Sequence, residues 1–157
     1  VDLLIESLVH ADTKVRLKIA GRGPLEASLR ELAAARGVAD RVDFLGFVSD
    51  EELLTLLATA RAAVYTPVNE DYGYVTLEAF LSGKTLVTTD DAGGVLEFAT
   101  EESGFIAGPT PQDLGAAMTR AWNTTPSRLK EMAEAGRKKV APIQWDQVID
   151  TLTESIR

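Results

Sequence analysis

Five short aliphatic runs punctuate the chain: VRLKIA at 15–20, VDFLG at 42–46, AAVYT at 62–66, TLVTT at 85–89 and GFIA at 104–107. They alternate with longer stretches in which apolar residues recur at helical spacing, a pattern that predicts a parallel sheet wrapped by helices on both faces. The stretch at 25–37 places Leu25, Leu29, Leu32 and Ala33 on one face and stops at Gly37, a residue suited to the left-handed position that closes a helix. Ser49 followed three residues later by Glu52 predicts a reciprocal cap at a second helix start. Thr110 before Pro111, and Thr125 before Pro126, each set a capping hydroxyl beside a proline at the first helical position, so two more helices begin there. A last helix is predicted from about Trp145 to the end. With no repeat, low-complexity stretch or long linker, residues 1–157 read as one domain.

Composition narrows the function. At 157 residues and 45% hydrophobic the chain can bury one core but not two. A formal charge of −8 repels polynucleotides and anionic headgroups, which excludes a nucleic-acid partner. The absence of cysteine rules out disulfides and thiolate metal sites and fits a cytoplasmic protein. No apolar run approaches the roughly 20 residues of a membrane-spanning helix. The chain opens at Val1 midway into a helical pattern with no capping residue before it, so the N-terminus is expected to be a cut edge.

The informative stretch is PVNEDYGYVTLEAFLSG at 67–83, which follows the run AAVYT and so falls outside the carboxyl end of a strand, where open α/β sheets bind ligands. Gly73 opens a helix there. Without a side chain at its start, a phosphate can approach the free N–H groups of Gly73, Tyr74 and Val75, where the helix dipole also favours negative charge. Glu70 lies in the loop before this helix and Glu78 within it. They do not share a face, but the two carboxylates can accept hydroxyl hydrogen bonds from different parts of one elongated ligand. Taken singly, Glu70 is an exposed loop acid and Glu78 an ordinary helix former.

Taken together, the pair resembles a known family. EDYGYVTLE at 70–78, two glutamates separated by seven residues, is similar to the PS..EGFG...LEA..SG block of family 4 glycosyltransferases of the GT-B type. The resemblance continues in order through AGRGP (20–24), VDFLGFVSDEEL (42–53), DAGGVLEF (91–98), SGFIAGP (103–109) and QWDQVI (144–149). It implies a Rossmann-like, C-terminal half of a retaining hexosyltransferase that binds a nucleoside-diphosphate sugar as donor substrate, with no metal and no further cofactor. On that resemblance Glu78 holds the ribose hydroxyls. Glu70 contacts the transferred sugar as the catalytic-site acid, and Asp71 and Tyr72 shape its pocket. Main-chain atoms near Phe47 and Val48 meet the base, the Gly21 to Gly23 turn borders the same cleft, and the Gly93-Gly94 turn faces the donor. The implied partner is an N-terminal Rossmann-like domain carrying the acceptor site, and any peripheral membrane contact belongs to that domain. Lys84-Thr85 departs from the Pro-Val common in the family, a change expected to affect strand entry rather than chemistry.

Competing readings carry less. Gly21-Arg22-Gly23 lacks the third glycine of a dinucleotide fingerprint, since Glu26 stands in its place. Asp90 and Asp91 read as turn and capping residues, and His10 as a solvated side chain. A sugar-nucleotide epimerase of similar architecture, or a non-catalytic nucleotide-sugar-binding domain, are the alternatives. The family resemblance also implies a first strand missing from this sequence, lying before Val1; if that strand is central, the runs VRLKIA and AAVYT should flank its lane about 10 Å apart, two strand spacings of roughly 4.8 Å. Leu4, Leu17, Ile19 and Val64 would then be poorly covered.

Overall fold

The computed structural model describes residues 1–143, so the helix predicted from Trp145 and the run QWDQVI lie outside the described residues. All five predicted strands form: β1 (Leu17–Ala20), β2 (Val42–Gly46), β3 (Ala63–Val64), β4 (Leu86–Thr89) and β5 (Gly104–Ala107). The helices are α1 (Asp2–Ser7), α2 (Glu26–Ala35), α3 (Asp50–Thr59), α4 (Tyr74–Leu81), α5 (Val95–Phe98), α6 (Pro111–Asn123) and α7 (Pro126–Val140). Among the described residues none is long and apolar enough to cross a membrane.

The caps explain the boundaries. Ser49 accepts from the Glu52 amide and the Glu52 carboxylate accepts from the Ser49 amide at the start of α3. That bond holds the Glu52 carboxyl below its usual range. Thr110 and Thr125 accept from the amides of Asp113 and Arg128 and launch α6 and α7 behind their prolines. Gly37 closes α2 at φ +70°. One expectation is corrected here: Leu25 does not join the packed face of α2. It precedes the helix and is 65% exposed, while Leu29, Leu32 and Ala33 pack inward as predicted.

The strands form two parallel sheets, β1 beside β2, and β3, β4 and β5 in that order. Among the described residues β1 and β3 do not pair, the arrangement expected if another strand's lane separates them. Side chains along β3 and β4 alternate between two cores. Val64 and Val87 face α1 and α6, and Ala63, Tyr65 and Leu86 face Phe80 of α4 and Val95 of α5. Helices on both sides leave all four residues of β4 buried. Lys84, at the entry to β4, donates to the carbonyls of Ala58 and Ala60, and Thr85 donates to Ser103, so the unusual Lys-Thr pair ties β4 to its neighbours.

The expected poor cover of the β1 side is also corrected. Leu4 and Leu17 are only 8% and 7% exposed, because α1 lies against α6 and α2 and closes a single core reaching from β1 across to β5. Ile19 and Val64 are half-buried. A cavity of about 50 Å³ remains between Val15 and Val64, floored by Met118, Ala121 and Trp122 of α6.

Arg41 fixes the turn that brings α1 into this position. Its guanidinium donates to the carbonyls of Leu8, Asp12 and Val15 at 2.9, 2.8 and 3.0 Å, satisfying three acceptors of the α1–β1 connection at once. Arg41→Ala removes the guanidinium from all three carbonyls, leaving Leu8 and Asp12 with only the amides of Ala11 and Val15, and should destabilise the fold by about 2 kcal/mol, the scale of hydrogen bonds to a charged group. A lowered urea midpoint with an unchanged denaturant slope is the expected readout.

Candidate functional site

Two loops leave the carboxyl ends of β3 and β4 and run side by side. The amide of Tyr65 donates to Val87, and beyond the strands Asn69 donates to Asp91 (3.0 Å) and Glu70 to Ala92 (3.3 Å). In return the Gly94 amide donates to the Glu70 carbonyl at 2.7 Å, and Glu70 pairs with Gly93 as an isolated parallel bridge. The approach is too close for side chains. A Cβ on Gly93 would sit 2.6 Å from the Glu70 carbonyl oxygen, and one on Gly94 would sit 2.1 Å from that of Asp71. Asn69, with φ +48°, adopts the left-handed conformation that asparagine tolerates better than most residues and turns the chain into Glu70.

The same loop delivers α4. Gly73 precedes it at φ +71°, where a Cβ would meet the Val95 side chain at 2.6 Å. No side chain caps the helix, and the Thr76 amide turns back onto the Gly73 carbonyl. Among the described residues the amides of Gly73, Tyr74 and Val75 donate to no acceptor, so the positive end of α4 is open. The Oγ1 of buried Thr76, one turn inside, and the Oδ1 of Asp91 are likewise without partners. Tyr72 packs edge-on against Tyr74 and Phe98, with ring centroids 5.2 and 5.5 Å away, which fixes the loop from the other side.

Glu70 is half-buried, and its Oε2 accepts from the Tyr65 hydroxyl at 3.0 Å. Burial, with the hydrogen bond and negative charge of Glu70, pushes the Tyr65 phenol above its ordinary value. Sequence reasoning missed Tyr65. The available signal was period-two alternation, which puts Tyr65 on the Ala63 side of the strand, five residues before Glu70. Glu78 is exposed and shares the open face of α4 with Tyr74 and Val75, opposite buried Thr76, Ala79 and Phe80. It forms no hydrogen bond with the other candidates among the described residues.

A second group lies at the carboxyl ends of β1 and β2. The Gly21 amide donates to the Gly46 carbonyl at 2.7 Å, which holds the Gly21 to Gly23 turn beside the segment leading to Phe47 and Val48. Phe47 is 71% exposed and Val48 half-buried. Thus Glu70 and Asp71 are brought into direct contact with Gly93 and Gly94, and Gly73 lies against Val95, the residue that follows Gly94. The Gly21 and Phe47 group forms a separate rim with no hydrogen bond to them among the described residues. His10 is exposed, as expected, and no group of three or more His, Asp or Glu side chains converges among the described residues.

A parallel sheet covered by helices on both faces, with loops gathered at the carboxyl ends of its strands, is a Rossmann-like architecture. The chain belongs to the family of glycosyl transferases group 1, whose model matches residues 1–139. It is 28% identical over 153 residues to the GDP-mannose-dependent alpha-(1-6)-phosphatidylinositol dimannoside mannosyltransferase of Mycobacterium tuberculosis, covering 97% of this chain and 38% of that protein. It is also 28% identical over 134 residues to the uncharacterized glycosyltransferase YqgM of Bacillus subtilis, covering 85% of this chain and 37% of that one. The crystal structure of Anabaena Alr3699/HepE in complex with UDP and glucose matches with a TM-score of 0.82 at 24% identity, over 98% of this chain and 43% of that one, a likeness that shows the fold. The chain therefore spans under two-fifths of the length of these two curated relatives.

The Tyr65–Glu70 contact has a direct spectroscopic consequence. Glu70→Gln removes the charge that disfavours the phenolate but leaves the burial, so the Tyr65 titration, followed by NMR of the ring, should move down only part of the way toward about 10. Because the folded value is raised, the stability linked to this phenol is complete below the unfolded value near pH 10 and is lost as pH rises through the folded one. An unshifted titration in Glu70→Gln would show that the contact does not persist in solution.

Proposed function

We propose that the chain is the donor-binding half of a retaining glycosyltransferase, acting with an N-terminal Rossmann-like domain on a nucleoside-diphosphate sugar. The carrying observation is the uncapped, glycine-led start of α4 held against Glu70 by the laced loops. Three free amides at a helix N-terminus form a seat for an anion, and the diphosphate is the ligand part that fits it. Beyond it, Glu78 accepts the ribose hydroxyls from the open face of α4, and Glu70 and Asp71 accept from hydroxyls of the transferred sugar, with Tyr72 walling the pocket. Gly93 and Gly94 hold the turn that faces the donor tightly against residues 69–71. Phe47, Val48 and the Gly21 to Gly23 turn meet the base along the separate rim.

In the reaction, the acceptor hydroxyl oxygen bonds to the anomeric carbon as the bond from that carbon to the diphosphate oxygen breaks. The hydroxyl proton passes to the departing diphosphate, and configuration is retained. The domain contributes positioning and stabilisation of the charge that accumulates on the leaving diphosphate. A metal is not needed for this seat, because the amides of α4 supply positive potential where that charge develops.

Thermal unfolding of the full-length polypeptide with UDP-glucose, UDP-N-acetylglucosamine and GDP-mannose tests this reading. One donor at about 100 times its Kd should stabilise the protein by about 2.7 kcal/mol. Glu78→Ala should then weaken binding of the matching free nucleoside diphosphate roughly tenfold, the loss of one charge-assisted hydrogen bond. Glu70→Ala should spare that binding and lower turnover. Equal loss of free-diphosphate affinity in both variants would contradict the division of roles.

A further inference from the structure

Glu70 is fixed in two stages. Its backbone is set by the amide bonds to Ala92 and Gly94 and by the turn at Asn69. That leaves the side chain, whose three rotatable bonds would otherwise spread the carboxylate over several rotamers at the site. The Tyr65 hydroxyl removes that freedom, because Tyr65 is itself rigid. Its amide is bonded to Val87, and its ring packs into the apolar core formed by Phe80, Leu86, Ala92 and Val95. A ring with two torsions in a packed wall carries its hydroxyl to one place.

The direction of the bond is also determined. An ionised carboxylate only accepts, so the phenol donates. Packing against Phe80, Leu86, Ala92 and Val95 would be satisfied by phenylalanine at position 65. The hydroxyl has one recorded partner, Glu70 Oε2, and among the described residues Oε1 has none.

Resting on the reading of Glu70 as the acid that contacts the transferred sugar, we infer that Tyr65 is its positioning residue: the Tyr65 hydroxyl anchors Oε2 of Glu70 and leaves Oε1 as the oxygen presented to the sugar. Tyr65 does not touch the donor. It restricts the carboxylate to one arrangement before the donor arrives, so its contribution appears in turnover rather than in nucleotide binding.

The test is Tyr65→Phe in the full-length polypeptide, alone and in a Glu70→Ala background. The donor is whichever of UDP-glucose, UDP-N-acetylglucosamine and GDP-mannose gives the greatest thermal protection. Turnover is read as release of UDP or GDP with water in place of the acceptor, and affinity for the matching free diphosphate is measured alongside. Tyr65→Phe alone should lower kcat roughly tenfold and change KM and free-diphosphate affinity by less than about twofold. In the Glu70→Ala background the same substitution should change kcat by less than about twofold, because the group through which Tyr65 acts is gone. An unchanged kcat in Tyr65→Phe, or an equal loss in both backgrounds, overturns the inference and leaves the role of Glu70 standing. An unchanged kcat in Glu70→Ala itself overturns the reading of the site and the inference with it.

Discussion

The candidate site depends on one close approach of backbone to backbone, that of residues 69–71 to Gly93 and Gly94. The loop after β3 carries the acid, the turn and the start of α4, and on its own it would be a flexible surface segment. It is held because the β3–β4 register continues past both strands, with Asn69 and Glu70 bonded to Asp91 and Ala92, and Gly94 bonded back to Glu70. That continuation is sterically allowed only without side chains at positions 93 and 94, where a Cβ would fall 2.6 and 2.1 Å from carbonyl oxygens. Everything that gives the site a chemistry follows from this contact. Glu70 is directed against Tyr65, Gly73 is brought under Val95, and the amide end of α4 is left open.

Much of the fold was legible because its signals are local. Strand runs and caps are written in neighbouring residues: Ser49 with Glu52, Thr110 with Pro111 and Thr125 with Pro126 all do in the structure what their chemistry dictates. Failures came where a residue's fate is decided by distant partners. Leu25 matches the helical period but precedes the first turn of α2, so periodicity alone assigned it to the wrong surface. The burial of Leu4 and Leu17 depends on α1 meeting α6, more than a hundred residues away in sequence. A reading centred on the unpaired edges of β1 and β3 underestimated how completely that helix pair closes the core.

The site was legible in a different way. Its glutamate spacing and glycine-led helix start stood out as a block, and the structure sets Glu70 and Asp71 against Gly93 and Gly94, with Gly73 against neighbouring Val95. The reason for the glycines was not legible. A Gly-Gly pair reads as a tight turn, whereas here it also makes room for another loop's backbone. Tyr65 escaped notice because a tyrosine in a strand reads as packing, and only the fold shows its hydroxyl reaching an acid five residues onward. Lys84, expected to affect strand entry, stands at the start of β4, where its ammonium donates to two carbonyls at the end of α3.

The central claim is that the open end of α4 seats the donor diphosphate. Backbone amide chemical shifts report it residue by residue. In a ¹⁵N-labelled full-length polypeptide, titration with the free nucleoside diphosphate should shift the amides of Gly73, Tyr74 and Val75 most, with Gly93 and Gly94 moving beside them, and a low-salt buffer should enhance the response. Shifts confined to the Gly21 and Phe47 rim, with the amides of Gly73 to Val75 unmoved at saturation, would contradict the account.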